Sequence, residues 1–345
     1  IFKSNIIVTN IILMSNSMNR RNETKISEIR ASAIPERLSG SRLDHAACEL
    51  YAEYSRTVLK KCIDGNTLRL NGAAAKPSTK VKSGDKIELE VPQEINGDQK
   101  ILPQKVDFDL IAENQDFIVV NKPSGIVVHP GAGNPDRTLQ NGLINEFPEL
   151  QHLPRGGLIH RIDKNTSGLL LVARNIQSYG FLSRILQERA ISRIYLAIVN
   201  GVMVSGGSVE ANIRRDNIVR TRMKVSDSGR YAKTNFRILK KYRAHTLLEV
   251  QLETGRTHQI RVHMASIGHP ILGDTAYGAR PHLPKNPTAS LRENVSAFSR
   301  QALHATRLEF TFPEKGKKWL FVSRLPSDLN ALIDALDIDA EKLNS

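Results

Sequence analysis

The chain reads as an α+β protein in two parts, and three observations predict this. Between residues 106 and 325, "DFIVVNK", "LLLVAR", "RIYLAIV", "TNFRILKKY" and "LLEVQL" are strand candidates that follow one another without regular intervening helices, which predicts a mixed, largely antiparallel sheet. Ahead of them, residues 37–92 hold two helical patterns followed by short strand patterns, a small α/β unit of its own. Between the two, residues 93–105, within "PQEINGDQKILPQK", are Pro-, Gly- and polar-rich and read as a linker.

Residues 1–36 show no sustained period. They read as a mobile leader, with a translation start at Met14 or Met18. The apolar patches of "IFKSNIIVTNIILM" are too short and too interrupted for a membrane span, and no small-residue cleavage site follows. Next, Leu43, Ala46, Ala47, Leu50 and Tyr51 recur at helical spacing. A second helix, capped by Ser55, carries Val58, Leu59, Cys62 and Ile63 on one face, with Gly65 past its end. "LRL", an Asn71-Gly72 turn and the alternating "DKIELEV" complete the unit. In the larger part, helices are predicted over 138–146 and 176–189. Residues 326–345 read as a C-terminal helix over 327–337, capped by Ser327, and a tail.

Lys and Arg outnumber Asp and Glu by 49 to 35, a formal charge of +14, which favours a polyanionic partner over an acidic one. The basic residues are grouped. Arg42, Arg56, Lys60, Lys61 and Arg69, with Lys76, Lys80 and Lys82, fall on the polar face of the small unit, where like charges suit phosphate contacts better than a merely solvated face. From Arg214 to Arg243, eleven Lys or Arg, among them Arg214, Arg215, Arg220 and Arg222, stand against Asp216 and Asp227 alone, a repulsion that an RNA backbone would relieve. Two cysteines, Cys48 and Cys62, are too few for a disulfide framework and read as buried thiols in a reducing compartment.

"HRIDKNTSG", residues 160–168, sets one carboxylate, Asp163, among His160, Arg161 and Thr166, between apolar "GLI" and the apolar strand "GLLLVAR". A nucleophile, a proton carrier, a metal ligand or an ion pair would each fit. A buried carboxylate there needs a cationic partner, and one distant in sequence serves better than Arg161. In "LETGRTHQIRVHMASIGHPILGDTAYG", residues 252–278, Thr257 caps a predicted helix from His258 to Ser266 closed by Gly268, with Arg256 at its mouth and Arg261 one turn in. His258 and His263, five apart, face different sides of that helix, unlike the four-residue spacing of a zinc helix, so no metal site is predicted from them or from His269. "NKPSGIVVHPGAGN" lacks the Gly-Lys-Ser/Thr ending of a nucleotide-binding loop. Tyr195 reads, taken alone, as a strand aromatic at the edge of the core.

"NKPSGIVVHPG", "GLIHRIDKNTSGLLLVAR", "SRIYLA" and the segment 252–278 stand in the order and spacing of the RluA/RluD family of RNA pseudouridine synthases. The resemblance spans roughly residues 40–335. The N-terminal unit resembles the S4-like RNA-binding domain, which points to the RluD-like branch. The resemblance implies a pseudouridine synthase fold and a catalytic domain over 106–325 that isomerises uridines of large-subunit (23S) ribosomal RNA, in the cytoplasm, as a monomer, with no cofactor, metal or membrane. It implies Asp163 as the catalytic aspartate and Arg261 as the arginine paired with it. Tyr195 would stack on the uracil and help remove the C5 proton. Arg161 would fill the space left by the extracted nucleotide and Ile260 would pack on the flipped base, with His160, Arg256 and Thr166 also at the substrate. Ile162 replaces the usual leucine. Other rRNA or tRNA uridines, or a non-catalytic assembly factor that binds RNA, are the alternatives.

Overall fold

The computed structural model describes residues 26–51, 54, 56–92, 101–131, 133–278, 282–312 and 316–342. The chain divides into two compact units, Ile1–Ile101 and Leu102–Ser345.

The first unit contains β1 (Ile26–Ala33), α1 (Leu43–Leu50), α2 (Arg56–Asp64), β2 (Leu68–Leu70) and β3 (Lys86–Pro92), with an antiparallel sheet ordered β1-β3-β2. The helical spacing read from the sequence has a physical outcome. Leu43, Ala46, Ala47 and Tyr51 are buried with Val58, Leu59, Cys62 and Ile63 against Leu68, Ile87 and Leu89 of the sheet. Asn71 and Gly72 both take positive φ, 53° and 75°, and Leu70 and Ala73 exchange backbone hydrogen bonds across them, the geometry for which Asn-Gly is suited. Cys62 is buried and Cys48 half-buried.

Strand β1 corrects the expectation of a patternless leader through residue 36. Ile29 is 62% exposed, so the strand is held by its ladder to β3 more than by an apolar face, and it shows no alternation to detect. Residues 1–25 of that leader, including Met14 and Met18, lie outside the described residues, as does the Ser55 cap, while Ile34 is buried in the core of the unit.

The second unit begins with β4 (Asp109–Glu113), β5 (Phe117–Lys122), α3 (Leu139–Glu146), β6 (Ser167–Ala173), α4 (Ile176–Gln187) and β7 (Ser192–Asn200). It continues with β8 (Gly207–Glu210), β9 (Ile213–Arg215), β10 (Met223–Val225), β11 (Lys233–Lys241), β12 (His245–Leu252) and α5 (Gln259–Ser266). Last come α6 (Ala289–Ala297), β13 (Leu303–Phe312), β14 (Lys317–Val322) and α7 (Ser327–Glu341). The main sheet runs β4-β5-β6-β13-β7-β12-β11-β8, with β14 beside the far end of β13. Only the short β6–β13 pairing is parallel among the described residues, so the sheet is mixed and largely antiparallel, as predicted.

Strand β6 is buried along its whole length, which is why "SGLLLVA" is a continuous apolar run and not an alternating one. At its start Gly168 has φ 119°, and a Cβ there would collide with the Ala305 backbone; glycine lets β6 close on β13. Under the sheet, Phe117 meets Phe310 and Trp319 edge-on, each at 5.2 Å between ring centres, and anchors β5, β13 and β14 in one core.

Several boundaries differ from the sequence reading. Residue 102 onward belongs to the second unit: Asn141 on α3 donates to the Leu102 carbonyl and Gln104 accepts from the Arg137 N–H, so the end of the expected linker is docked. The cap of α5 is His258 in a left-handed conformation, not Thr257, and α7 is capped by Pro326, with Ser327 its first helical residue. Helix α7 runs past the predicted residue 337 to Glu341 and is tied to the rest of the second unit. Arg300 grips Asp328 at 2.6 and 2.8 Å, and Arg243 pairs with Asp339 at 3.0 Å.

Candidate active site

The loop before β6, the middle of β7 and the first turns of α5 meet at a cleft of about 510 Å³, large enough for one nucleotide. Asp163, Tyr195 and Arg261 all line it, as do Arg161, His160, Thr166, Ile260 and Arg256.

Asp163 sits on a turn that the surrounding chain over-determines. Its carbonyl accepts from the Thr166 N–H, and the next residue's carbonyl, that of Lys164, accepts from the Gly125 N–H. Lys122, fully buried at the end of β5, donates to the carbonyls of Pro123, Ile126 and Lys164 at 2.7–2.9 Å. Those three acceptors match the three N–H bonds of an ammonium, although burial pushes the group down to about 7. Thr166 is buried, and its hydroxyl accepts from Gln301, so it holds the loop from behind.

Arg261, 98 residues away in sequence, donates from Nη1 to Asp163 at 2.9 Å. Its Nε and Nη2 are clamped in a two-pronged pair by Asp274, at 2.6 and 2.9 Å. Asp274 in turn accepts from the backbone N–H groups of Ala276 and Tyr277. Burial opposes the Arg261 charge, but the hydrogen bonds and charges of Asp274 and Asp163 outweigh it and hold the guanidinium above its ordinary value. One planar cation is thereby oriented by a buried acid and presents one arm to a second acid in the cleft.

His258 approaches Asp163 from the other side, with Nε2 4.0 Å from the carboxylate. Its Nδ1 lies 2.7 Å from the Tyr277 hydroxyl, which accepts from the Met223 N–H. The simplest proton assignment has the Tyr277 O–H donate to Nδ1, which leaves the Nε2–H facing Asp163. Burial keeps this imidazole below its ordinary value.

Tyr195 is 5% exposed, and burial pushes its hydroxyl up to about 12, against the lowering effect of Arg193. It is protonated throughout the physiological range. His160 accepts the Leu171 N–H on Nε2, and burial holds it at about 3, so it enters the cleft as a neutral ring tied to β6. Ile260 is buried beside the cleft, while Arg161 and Arg256 are exposed at it. Arg161, Asp163 and His258 also line a second hollow of about 320 Å³ together with His129 and Lys164.

A scan against family models matches residues 116–266 to RNA pseudouridylate synthase. Ribosomal large subunit pseudouridine synthase D of Yersinia pestis is 42% identical over 313 residues, covering 90% of this chain and 96% of the relative. The chain belongs to the RNA pseudouridylate synthase family. The equivalent relative from Xylella fastidiosa is 44% identical and covers 90% of this chain and 93% of its own length. Among solved structures, Human RNA Pseudouridylate Synthase Domain Containing 4 aligns with a TM-score of 0.52 at 25% identity, covering 66% of this chain and 92% of that one.

In this synthase the basic residues named from sequence fall into two groups. Arg214 and Arg215 on β9, with Arg220 and Arg222 in the turn to β10, form a hairpin whose turn is pinned by Asp216 accepting from the Ile218 and Val219 N–H groups. The hairpin reaches the site, because Met223 packs with Ile213, Val262 and Tyr277 and also donates to Tyr277. Arg42, Lys60, Lys61 and Arg69 belong to the first unit, where Lys60, Lys61 and Arg69 are exposed and Arg42 is partly committed to Asp44; the Arg56 side chain lies outside the described residues.

His263 is taken by Thr234 and the Ala211 carbonyl and His269 by the Asn200 carbonyl, each away from His258. Sequence reasoning missed Asp274, Tyr277, Lys122 and Arg193. Asp274 had one signal, being the sole carboxylate between Glu253 and Glu293.

Proposed function

We propose that this synthase converts uridines of large-subunit ribosomal RNA to pseudouridine with Asp163 as its catalytic carboxylate, Arg261 its partner and Tyr195 the ring on which the target uracil stacks. The observation that carries this is the Asp163–Arg261 pair at 2.9 Å on the wall of a nucleotide-sized cleft that also holds Tyr195. The first curated relatives, alike over nine-tenths of the chain, are large-subunit ribosomal enzymes by name, which supports the substrate.

The reaction breaks the C1′–N1 bond, turns the base and joins C1′ to C5, and the C5 proton is replaced by one on N1. Nothing is added or lost. A base inside a helix offers neither C1′ nor C5, so the nucleotide must leave the stack, and exposed Arg161 at the mouth is suited to fill the gap. Asp163, with one oxygen on Arg261, keeps a second oxygen for the ribose or the ring. The Tyr195 ring, its hydroxyl kept neutral by burial, supplies a rigid face beside it, and buried Ile260 adds an apolar contact for the base. In this reading Arg256, Thr166 and His160 shape the cleft, and the hairpin arginines with the exposed cations of the N-terminal RNA-binding unit hold the surrounding RNA.

The same reading makes ribosomal RNA the partner, a monomer the working unit and the cytoplasm the compartment. No helix among the described residues is long and apolar enough to cross a membrane.

The test is pseudouridine mapping of total RNA by carbodiimide modification and primer extension, from cells with the gene, without it, and with Asp163→Asn. Sites in one large-subunit helix should vanish in the last two. Sites that persist with Asp163→Asn would refute the assigned carboxylate, and loss confined to tRNA would move the substrate.

A further inference from the structure

Three arginines among the described residues are less than a tenth exposed: Arg193, Arg261 and Arg300. Arg261 holds Asp163 and Asp274, and Arg300 holds Asp328 and backbone carbonyls. Arg193, 6% exposed on β7, has neither an ion pair nor a hydrogen bond among the described residues, and its Nε is buried without a partner. A buried, unpaired guanidinium is among the least favourable arrangements in a folded chain, so this one calls for an anion from outside.

Its surroundings say which anion. Arg193 lines the active-site cleft, where six arginines stand against two carboxylates, and both carboxylates are occupied. Asp163 is held by Arg261, and Glu253 by Lys233 at 3.1 Å and Arg189 at 3.3 Å. Arg193 and Tyr195 are two apart on one strand, so their side chains project from the same face about 7 Å apart. That is within the reach of one nucleotide from its ring to its phosphate. Gly255 makes the room: a Cβ there would stand 2.8 Å from Arg193 Nη1.

We propose that Arg193 forms a subsite for a backbone phosphodiester flanking the target uridine, which supplies the counter-charge that the protein lacks. A uracil carbonyl would satisfy a hydrogen bond but would leave the charge uncompensated. The subsite rests on the reading of this cleft as the uridine site, and it adds a contact that ties the ribose-phosphate to the strand bearing Tyr195.

The test uses a large-subunit RNA oligonucleotide carrying the uridine that mapping identifies, alongside two copies bearing a neutral methylphosphonate at its 5′ or 3′ linkage. Arg193→Met should weaken binding of the native RNA about ten- to hundred-fold, the range for a charge-assisted hydrogen bond. One of the two methylphosphonates should erase the difference from wild type. The variant should also unfold at a higher temperature than wild type, because it removes an unpaired buried charge, whereas a merely structural arginine would give a lower one. Gly255→Ala, which displaces the guanidinium while keeping it, should show part of the same loss and covers a failure of Arg193→Met to fold. Native-like binding by both variants, or an equal loss on all three RNAs, would overturn the subsite. Product formation by wild type on the native RNA separates the two readings: its absence sinks both, and its presence with insensitive variants sinks only the subsite.

Discussion

Asp274 and Arg261 form a two-pronged pair at 2.6 and 2.9 Å, and the remaining arm of that arginine is what meets Asp163. The contact with Asp163 thus rests on an acid that does not line the cleft. With Asp274 replaced by Asn, one prong loses its charge and the guanidinium can rotate. The expected result is a fall in kcat of about ten- to hundred-fold, which corresponds to about 1.4–2.8 kcal/mol, with RNA affinity nearly unchanged. Single-turnover kinetics and a binding titration check it; wild-type kcat would show that Arg261 needs no orienting.

Lys122 braces the Asp163 turn through three carbonyls. Lys122→Met keeps the buried stem but leaves the Pro123 and Ile126 carbonyls unpaired, while that of Lys164 keeps the Gly125 N–H, and each orphan costs on the order of 1 kcal/mol or more. Urea unfolding should show a loss of about 2 kcal/mol or more, and surviving protein should have a lower kcat. Should the urea midpoint match wild type, the brace has no energetic weight.

The β9–β10 hairpin leaves Arg220 and Arg222 exposed to solvent. If both lie on phosphates, the double variant to Ala should bind RNA more weakly, and the slope of log K against log salt should shrink by about 1.4 for single-stranded and about 1.8 for duplex contacts. An unchanged slope would remove the hairpin from the interface.

His245 and His304 are fully buried, and burial holds both at about 4. The unfolded chain takes up protons as pH falls through about 6.5 while the native chain does not, so their contribution is complete above that value and is lost as pH falls towards 4. By pH 5 each should have removed on the order of 1–2 kcal/mol. Thermal unfolding at pH 7.5 and 5.0 reads the difference, and equal midpoints would contradict it. The neutral Tyr195 hydroxyl adds no ionisation in this window.

Local patterns were legible wherever burial follows the period of one element. The helical hairpin of the first unit, the apolar run of β6 and the alternation of β3 each follow from how a single segment faces its core. Strand β13 was not, although it joins β6, β7 and β14, because "LHATRLEFTF" mixes polar and apolar residues around a bulge at Ala305–Arg307. Strand β1 was hidden for the complementary reason, since its backbone ladder leaves little trace in side-chain chemistry.

The sequence by itself determined the family, the α+β class and the three residues that share the cleft, because ordered motifs and side-chain periods are local properties of the chain. Only the tertiary structure decided that Asp274 aims Arg261, that Tyr277 connects a basic hairpin to His258, and that Arg193 lacks a partner. Those are facts about proximity between segments far apart in the chain. Proximity, and with it desolvation and charge balance, comes into being only when the sheet brings β7 and the loop before β6 to one cleft beside α5.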